Sequence, residues 1–172
     1  MNNIARQDAP PSALPAFVWW VTTIAWAVTI YQLSTGTFGT SLTGWLLTES
    51  LRLLGITLSP PTFDAVHHFL RKLAHLSEYA IYALLLYGSF GGGRDFAWRR
   101  RRAAWCAGIA AAYSLTDELH QWFVPGRSAS LTDSVLDTTG AVLAMAGYYA
   151  VTRWLQTRRS RRAAIAANPA ET

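Results

Sequence analysis

The sequence predicts an all-α fold: a membrane helical bundle of four transmembrane helices, with an extra interfacial or re-entrant amphipathic segment in the first outer loop. Three observations predict it. Of 172 residues, 51% are apolar and only 15% charged, against roughly 25% charged in soluble domains, which excludes disorder and points to lipid. Apolar runs recur at lengths close to a membrane span. Positive charges gather in blocks beside those runs. The mean hydropathy is nevertheless a modest +0.15, so polar residues are concentrated somewhere.

The first span is Ala16 to Leu33, inside a stretch from residue 9 to 48 without any charge. Only Arg6 precedes it and no clear small-residue cleavage site follows, so an uncleaved helix is the expectation rather than a signal peptide. From about Ser34 to Arg71 runs a long outer loop. In it Leu42, Trp45, Leu46, Leu51, Leu53 and Leu54 form an amphipathic segment, too short and charged to span comfortably, bounded by Pro60 and Pro61. Three more spans follow: Leu73 to Phe90, Ala103 to about Trp122, and about Asp133 to Trp154. Their uncharged stretches, Tyr79–Gly93, Ala103–Thr116 and Thr138–Thr152, number fifteen, fourteen and fifteen residues. At about 1.5 Å per residue these cover about 22 Å of a hydrocarbon core about 30 Å thick, so each helix takes about five residues from a charged flank.

Orientation decides which flank. With a cytoplasmic amino terminus the inner segments carry eleven positive charges: Arg6, five between Arg94 and Arg102, and five from Arg153 onward. The outer segments carry four, Arg52, Arg71, Lys72 and Arg127, so both termini are expected in the cytoplasm of a multi-pass protein. The chain divides into a tail (residues 1–15), one membrane domain (16–154) and a basic tail (155–172). Because the arginines behind the net charge of +5 abut apolar runs, nucleic acid is not expected as a partner and membrane lipid is. Trp19, Trp20, Trp105, Trp122 and Trp154 fall near span ends as an aromatic belt would. Gly140, Ala144 and Gly147 read as a small-residue packing face, His67 and His68 as interfacial. Cys106 is the single cysteine and forms no intrachain disulfide.

Depth can be counted from the cytoplasmic ends. Glu78 is twelve residues from Phe90, Asp117 fourteen from Ala103 and Asp137 fifteen from Thr152, which puts them about 18, 21 and 22 Å from the inner edge. His75 and Lys72 stand one and two turns above Glu78, Glu118 and Gln121 beside and above Asp117, and Asp133 one turn above Asp137. At about 100° per residue, Lys72, His75, Glu78 and Tyr79 fall within about 120° of arc, and Asp117, Glu118, His120 and Gln121 within about 160°, with Leu119 opposite. Ionisable groups at such depth cost about 2.5 to 3.5 kcal/mol each near a helix centre, so they are expected to face one another, as a packing clamp or as a site. The segment HQWFVPGRSASLTD reads as a lid: Pro125 and Gly126 turn, Arg127 projects, and Ser128 or Ser130 caps the next helix. Arg127 would hold phosphate or carboxylate, or else pair with Glu118 or Asp133.

The runs Arg71-Lys72-Leu73-Ala74-His75-Leu76-Ser77-Glu78-Tyr79 and Thr116-Asp117-Glu118-Leu119-His120-Gln121-Trp122-Phe123-Val124-Pro125-Gly126-Arg127-Ser128, with Leu131-Thr132-Asp133, Gly140 and Tyr31-Gln32-Leu33-Ser34, resemble the VanZ-like family across residues 16 to 152. Asp137 departs from it, standing where the family commonly has Asn. The resemblance implies a small integral protein of the bacterial cytoplasmic membrane in a cell-envelope context. The founding member is associated with low-level resistance to the glycopeptide antibiotic teicoplanin. It implies no agreed reaction.

Three functions are therefore expected to compete. In the first, an outward-facing pocket binds or processes an envelope component with a polar head group, lipid-linked or glycan. Its ligand-binding residues are Lys72, His75, Glu78, Tyr79, Asp117, Glu118, His120, Gln121, Arg127, Ser128, Asp133 and Asp137. In the second, a divalent cation held by Glu78, Asp117, Glu118 and Asp133 activates water on a phosphorylated or acylated lipid-linked substrate, although neither His-Glu-x-x-His nor Gly-x-Ser-x-Gly occurs and no cofactor motif is evident. In the third, the acids relay protons or ions in a small transporter.

Overall fold

A computed structural model describes residues 14–34, 39–91, 94–123 and 130–167. Five helices account for nearly all of them: α1 (Ala16–Ser34), α2 (Gly39–Leu54), α3 (Pro60–Phe90), α4 (Arg100–Trp122) and α5 (Leu131–Ala167). Among the described residues no strand occurs. Among the described residues α1 alone has the length and unbroken apolarity to cross a membrane by composition, because α3 carries charges through its first half and α4 and α5 carry them toward both ends.

Two boundaries differ from the sequence expectation. α3 begins at Pro60, thirteen residues before Leu73, because a proline in the first helical turn gives up an N–H that has no partner there anyway. The pair Pro60-Pro61 therefore starts a helix as well as ending a loop. α5 runs on past Trp154 to Ala167, since nothing between Arg153 and Ala167 breaks it. α2 covers the expected amphipathic segment. It stops at Gly55, whose φ of +68° is in the left-handed region. There the Gly55 N–H donates to the Arg52 carbonyl and the Ile56 N–H to the Leu51 carbonyl, the hydrogen-bond pattern that closes a helix on glycine.

The bundle is apolar outside and polar inside. Phe17, Val21, Ile24, Leu119, Val135 and Val142 are exposed, while Thr23, Ser89, Ser114, Asp117, Glu118, Gln121 and Asp137 are buried. α1, α3, α4 and α5 enclose the core, and α2 leans on α3, where the Thr43 hydroxyl meets His67 Nε2 at 2.9 Å. His67, expected in a loop, is thus a helical residue of α3 that contacts α2.

The most extensive contact joins α3 to α5. A Cβ built on Gly140 would lie 2.2 Å from the Leu76 carbonyl oxygen, so only glycine allows this approach. Ala141 is completely buried in the core. Gly147, expected to share the packing face, meets nothing within 4 Å; it lies two turns along α5, where the helices no longer touch so closely. α1 settles on α3 by the same device, the Trp19 ring lying where a side chain on Gly88 would go. Trp19 is consequently a packing residue, whereas Trp20, Trp105, Trp122 and Trp154 are exposed.

The turn between α3 and α4 is clasped by polar contacts. Arg102 donates to the Asp95 carboxylate and carbonyl at 2.6 Å each, and Arg99 to the same carboxylate at 2.8 Å. Tyr87 OH donates to the Ala97 carbonyl and accepts the Arg99 N–H, while Tyr148 OH donates to the Phe96 carbonyl. The Arg102 and Arg99 contacts, with the Ala97 N–H, hold the Asp95 carboxyl down to about 2.

Two outcomes are expected. Gly140→Ala will force α3 and α5 apart and lower stability by about 1–3 kcal/mol, read as an earlier melt in detergent. Gly108→Ala and Gly147→Ala, with open space around them, will leave the melt unchanged or slightly raised. Because the Asp95 carboxyl sits below its unfolded value of about 3.9, the clasp's contribution is complete above that pH and fades as pH falls toward 2. Carboxyl carbon NMR will therefore show no Asp95 titration between pH 5 and 8.

Candidate functional site

The tight α3–α5 contact dictates what meets beside it. His75 precedes Leu76, and Asp137 lies three residues before Gly140 on the same face of α5. His75 Nδ1 accordingly stands 3.7 Å from Glu78 Oε2 and 4.0 Å from Asp137 Oδ1. α4 adds Ser114, which donates to Asp137 Oδ2 at 2.8 Å and meets the Ser134 hydroxyl at 2.9 Å. Tyr79 is completely buried and its hydroxyl is beside Ser114.

Two further acids are held one turn away on α4. Gln121 donates to Asp117 Oδ2 at 3.2 Å and to the Ser34 hydroxyl at 2.6 Å, tying α4 to the end of α1. Glu118 accepts the Ser130 backbone N–H at 2.6 Å, placing a carboxylate at the start of α5, where the helix dipole favours negative charge. The Ser130 carbonyl accepts the first N–H groups of α5. The Trp26 indole donates to the Glu78 carbonyl at 3.0 Å, and the Tyr113 hydroxyl to the Ala27 carbonyl at 2.7 Å.

Glu78, Asp117 and Asp137 lie near enough to repel one another. The His75 imidazole lies within 4.0 Å of both Glu78 and Asp137 and pairs with them ionically when protonated. Glu78 Oε2 and Asp137 Oδ1 are buried without a hydrogen-bond partner, which is costly in a low-dielectric interior. Above this cluster α1, α2 and α3 leave a cavity of about 200 Å³. Its walls are Leu33, Leu42 and Ala74, and its polar lining is Thr43, Arg71, His75 and Glu78.

The sequence-predicted residues divide accordingly. The structure gathers His75, Glu78, Tyr79, Asp117, Gln121 and Asp137 into one buried network, with Glu118 at its edge. His120 instead packs against Tyr31, the rings tilted by 41° with centres 4.9 Å apart. Lys72 and Asp133 are half-buried and make no ion pair among the described residues. Arg127, Ser128 and the Pro125-Gly126 turn lie outside the described residues. Among the described residues no three of His, Cys, Asp and Glu converge on a metal-binding point. Arg71, Ser34, Ser114 and Ser134 were not expected in the site. Spacing carries the signal for three of them: Arg71 lies at i, i+4, i+7 with His75 and Glu78, and Ser114 and Ser134 each sit three residues before an acid.

The family model VanZ/LLP1 matches residues 15–153. The chain belongs to the VanZ/LLP1 family. No curated protein and no solved structure matches it. For a chain of the VanZ/LLP1 family, a membrane-associated one, the polar network inside an apolar exterior is the chemistry to explain.

Ser114 is the one hydroxyl donating to Asp137 among the described contacts. Ser114→Ala will leave that carboxylate oxygen unsatisfied and lower stability by about 1–3 kcal/mol. Asp137→Asn, which keeps an acceptor and removes a charge, will cost less. Melts of the two variants side by side check the order.

Proposed function

We propose that this is a four-span protein of the bacterial cytoplasmic membrane, with α1, α3, α4 and α5 crossing it and both termini in the cytoplasm. Its outward-opening polar pocket binds the head group of a cell-envelope component. The uneven distribution of arginine supports the orientation. The apolar exterior supports the spans: side chains such as Phe17, Ile24, Val135 and Val142 are exposed around a core that holds carboxylates. α2 then lies at the outer interface, its exposed Leu42, Trp45, Leu46, Leu53 and Leu54 turned toward lipid.

The observation that carries the binding function is the cavity of about 200 Å³ between α1, α2 and α3, lined by both Arg71 and Glu78, a carboxylate with a buried oxygen that accepts no hydrogen bond. A clamp that only fixed packing would satisfy its own acids. Here an acid that lines an opening is left short of a donor, and a ligand supplies what the chain does not. Arg71 in the cavity lining offers positive charge for anionic oxygens, and the family's association makes a contribution to glycopeptide resistance, teicoplanin included, the expected phenotype.

Replacing Thr43, Arg71, His75 and Glu78, the polar lining of the cavity, one at a time tests this. Each variant, expressed at the parental level, will lose the envelope or teicoplanin phenotype that the parent confers. Retention of the phenotype by all four would refute the pocket's role.

A further inference from the structure

We infer that the cavity between α1, α2 and α3 takes a compact zwitterion, with anionic oxygens on Arg71 and a primary ammonium on Glu78. This rests on the head-group reading above and narrows it. Arg71 makes no ion pair among the described residues, and Glu78 Oε2 accepts no hydrogen bond, His75 Nδ1 standing off at 3.7 Å. Both line one cavity. A purely anionic head group would satisfy Arg71 and confront Glu78; a purely cationic one would do the reverse. Only a ligand carrying both charges answers both walls.

Arg71 and Glu78 stand at i and i+7 on one face of α3, so both charges enter the same small cavity from successive turns. A head group that carries phosphate and ammonium a few atoms apart presents both, as does an amino acid. At about 200 Å³ the cavity is smaller than the about 300–1,000 Å³ of sites for drug-sized ligands. It takes a head group and excludes an extended glycan. Leu33, Leu42 and Ala74 keep the walls dry, which strengthens both charge contacts. Glu78 selects a primary ammonium over a quaternary one, because a trimethylated nitrogen has no N–H to donate.

The same chemistry comes from an ethanolamine phospholipid or from a soluble zwitterion, and the experiment separates them. The full chain is placed in phosphatidylcholine nanodiscs doped with equal phosphatidylethanolamine and phosphatidylglycerol, and retained lipid is read by native mass spectrometry. O-phosphoethanolamine and alanine are titrated in parallel. The expected result is retention of the ethanolamine lipid about tenfold over the glycerol lipid, a preference abolished by Glu78→Gln and kept by Glu78→Asp, with Arg71→Gln weakening both lipids. Binding of the soluble probes, sensitive to the same variants and without lipid retention, upholds the zwitterion and assigns it to a soluble source. Equal retention of the two doped lipids, unaltered by Glu78→Gln in a protein that melts normally, overturns the inference while leaving a head-group pocket in place. No retention of any doped lipid and no binding of either soluble probe overturns it too, and with an unchanged phenotype in the Arg71 and Glu78 variants the pocket itself falls.

Discussion

The site depends on one backbone contact, the approach of α5 to α3 at Gly140 and Leu76. Within lipid there is little hydrophobic drive to bring helices together, so association rests on close packing and on polar contacts. A residue without a side chain allows the first, and the second follows from geometry. With Gly140 against the Leu76 carbonyl, Asp137 must stand beside His75, and α4 can enter only if it offers a partner there. Ser114 is that partner. α1 is then held against α3 by Trp19 over Gly88 and by the Trp26 indole on the Glu78 carbonyl.

A recurring solution to the polarity problem is the large side chain with an apolar body and one polar tip. Trp26 and Tyr113 join α1 to α3 and α4 through backbone carbonyls; Tyr87 and Tyr148 fasten the α3–α4 turn the same way. Each fills space as a hydrophobic group and donates a single hydrogen bond. Such residues give the bundle cohesion without adding charge to its core. The carboxylates stand apart from this economy, since neutral aromatic tips would have joined the helices equally well. Their presence asks for a donor or a cation.

Much of the fold was legible because charge and apolarity are sorted along the chain. The uncharged stretch around α1, the basic blocks, and the acids at matching depths on α3, α4 and α5 give the helices and one end of each as the polar end. The helix limits were less legible. Pro60-Pro61 reads equally as a stop or as a start, and no breaker follows Trp154. Within the site, helical angle placed His75, Glu78, Asp117 and Asp137 together, but it could not separate His120, which turns to Tyr31, from its neighbour Gln121, which turns inward. Rotation of a helix by a few tens of degrees decides such cases, and that rotation is set by tertiary packing. Arg71 escaped notice because a cation next to another cation, Lys72, reads first as topology.

The two ends of the bundle are finished differently, and this bears on what the site can do. At the α3–α4 turn every strong charge contact is closed: Asp95 is shared by Arg99 and Arg102, and Arg102 also lies over the Tyr87 ring. Between that clasp and the acid network the described core holds Tyr82, Ala83, Leu86, Cys106, Ala110, Ala141 and Met145, which offer no carboxylate, imidazole or ammonium for a relay. At the opposite end Glu78 and Asp137 keep buried oxygens without donors, beneath a cavity that reaches Arg71. A conducting path needs polar groups through the whole thickness. A pocket needs them at one end only, with a dry floor below, and that is the distribution this chain has built.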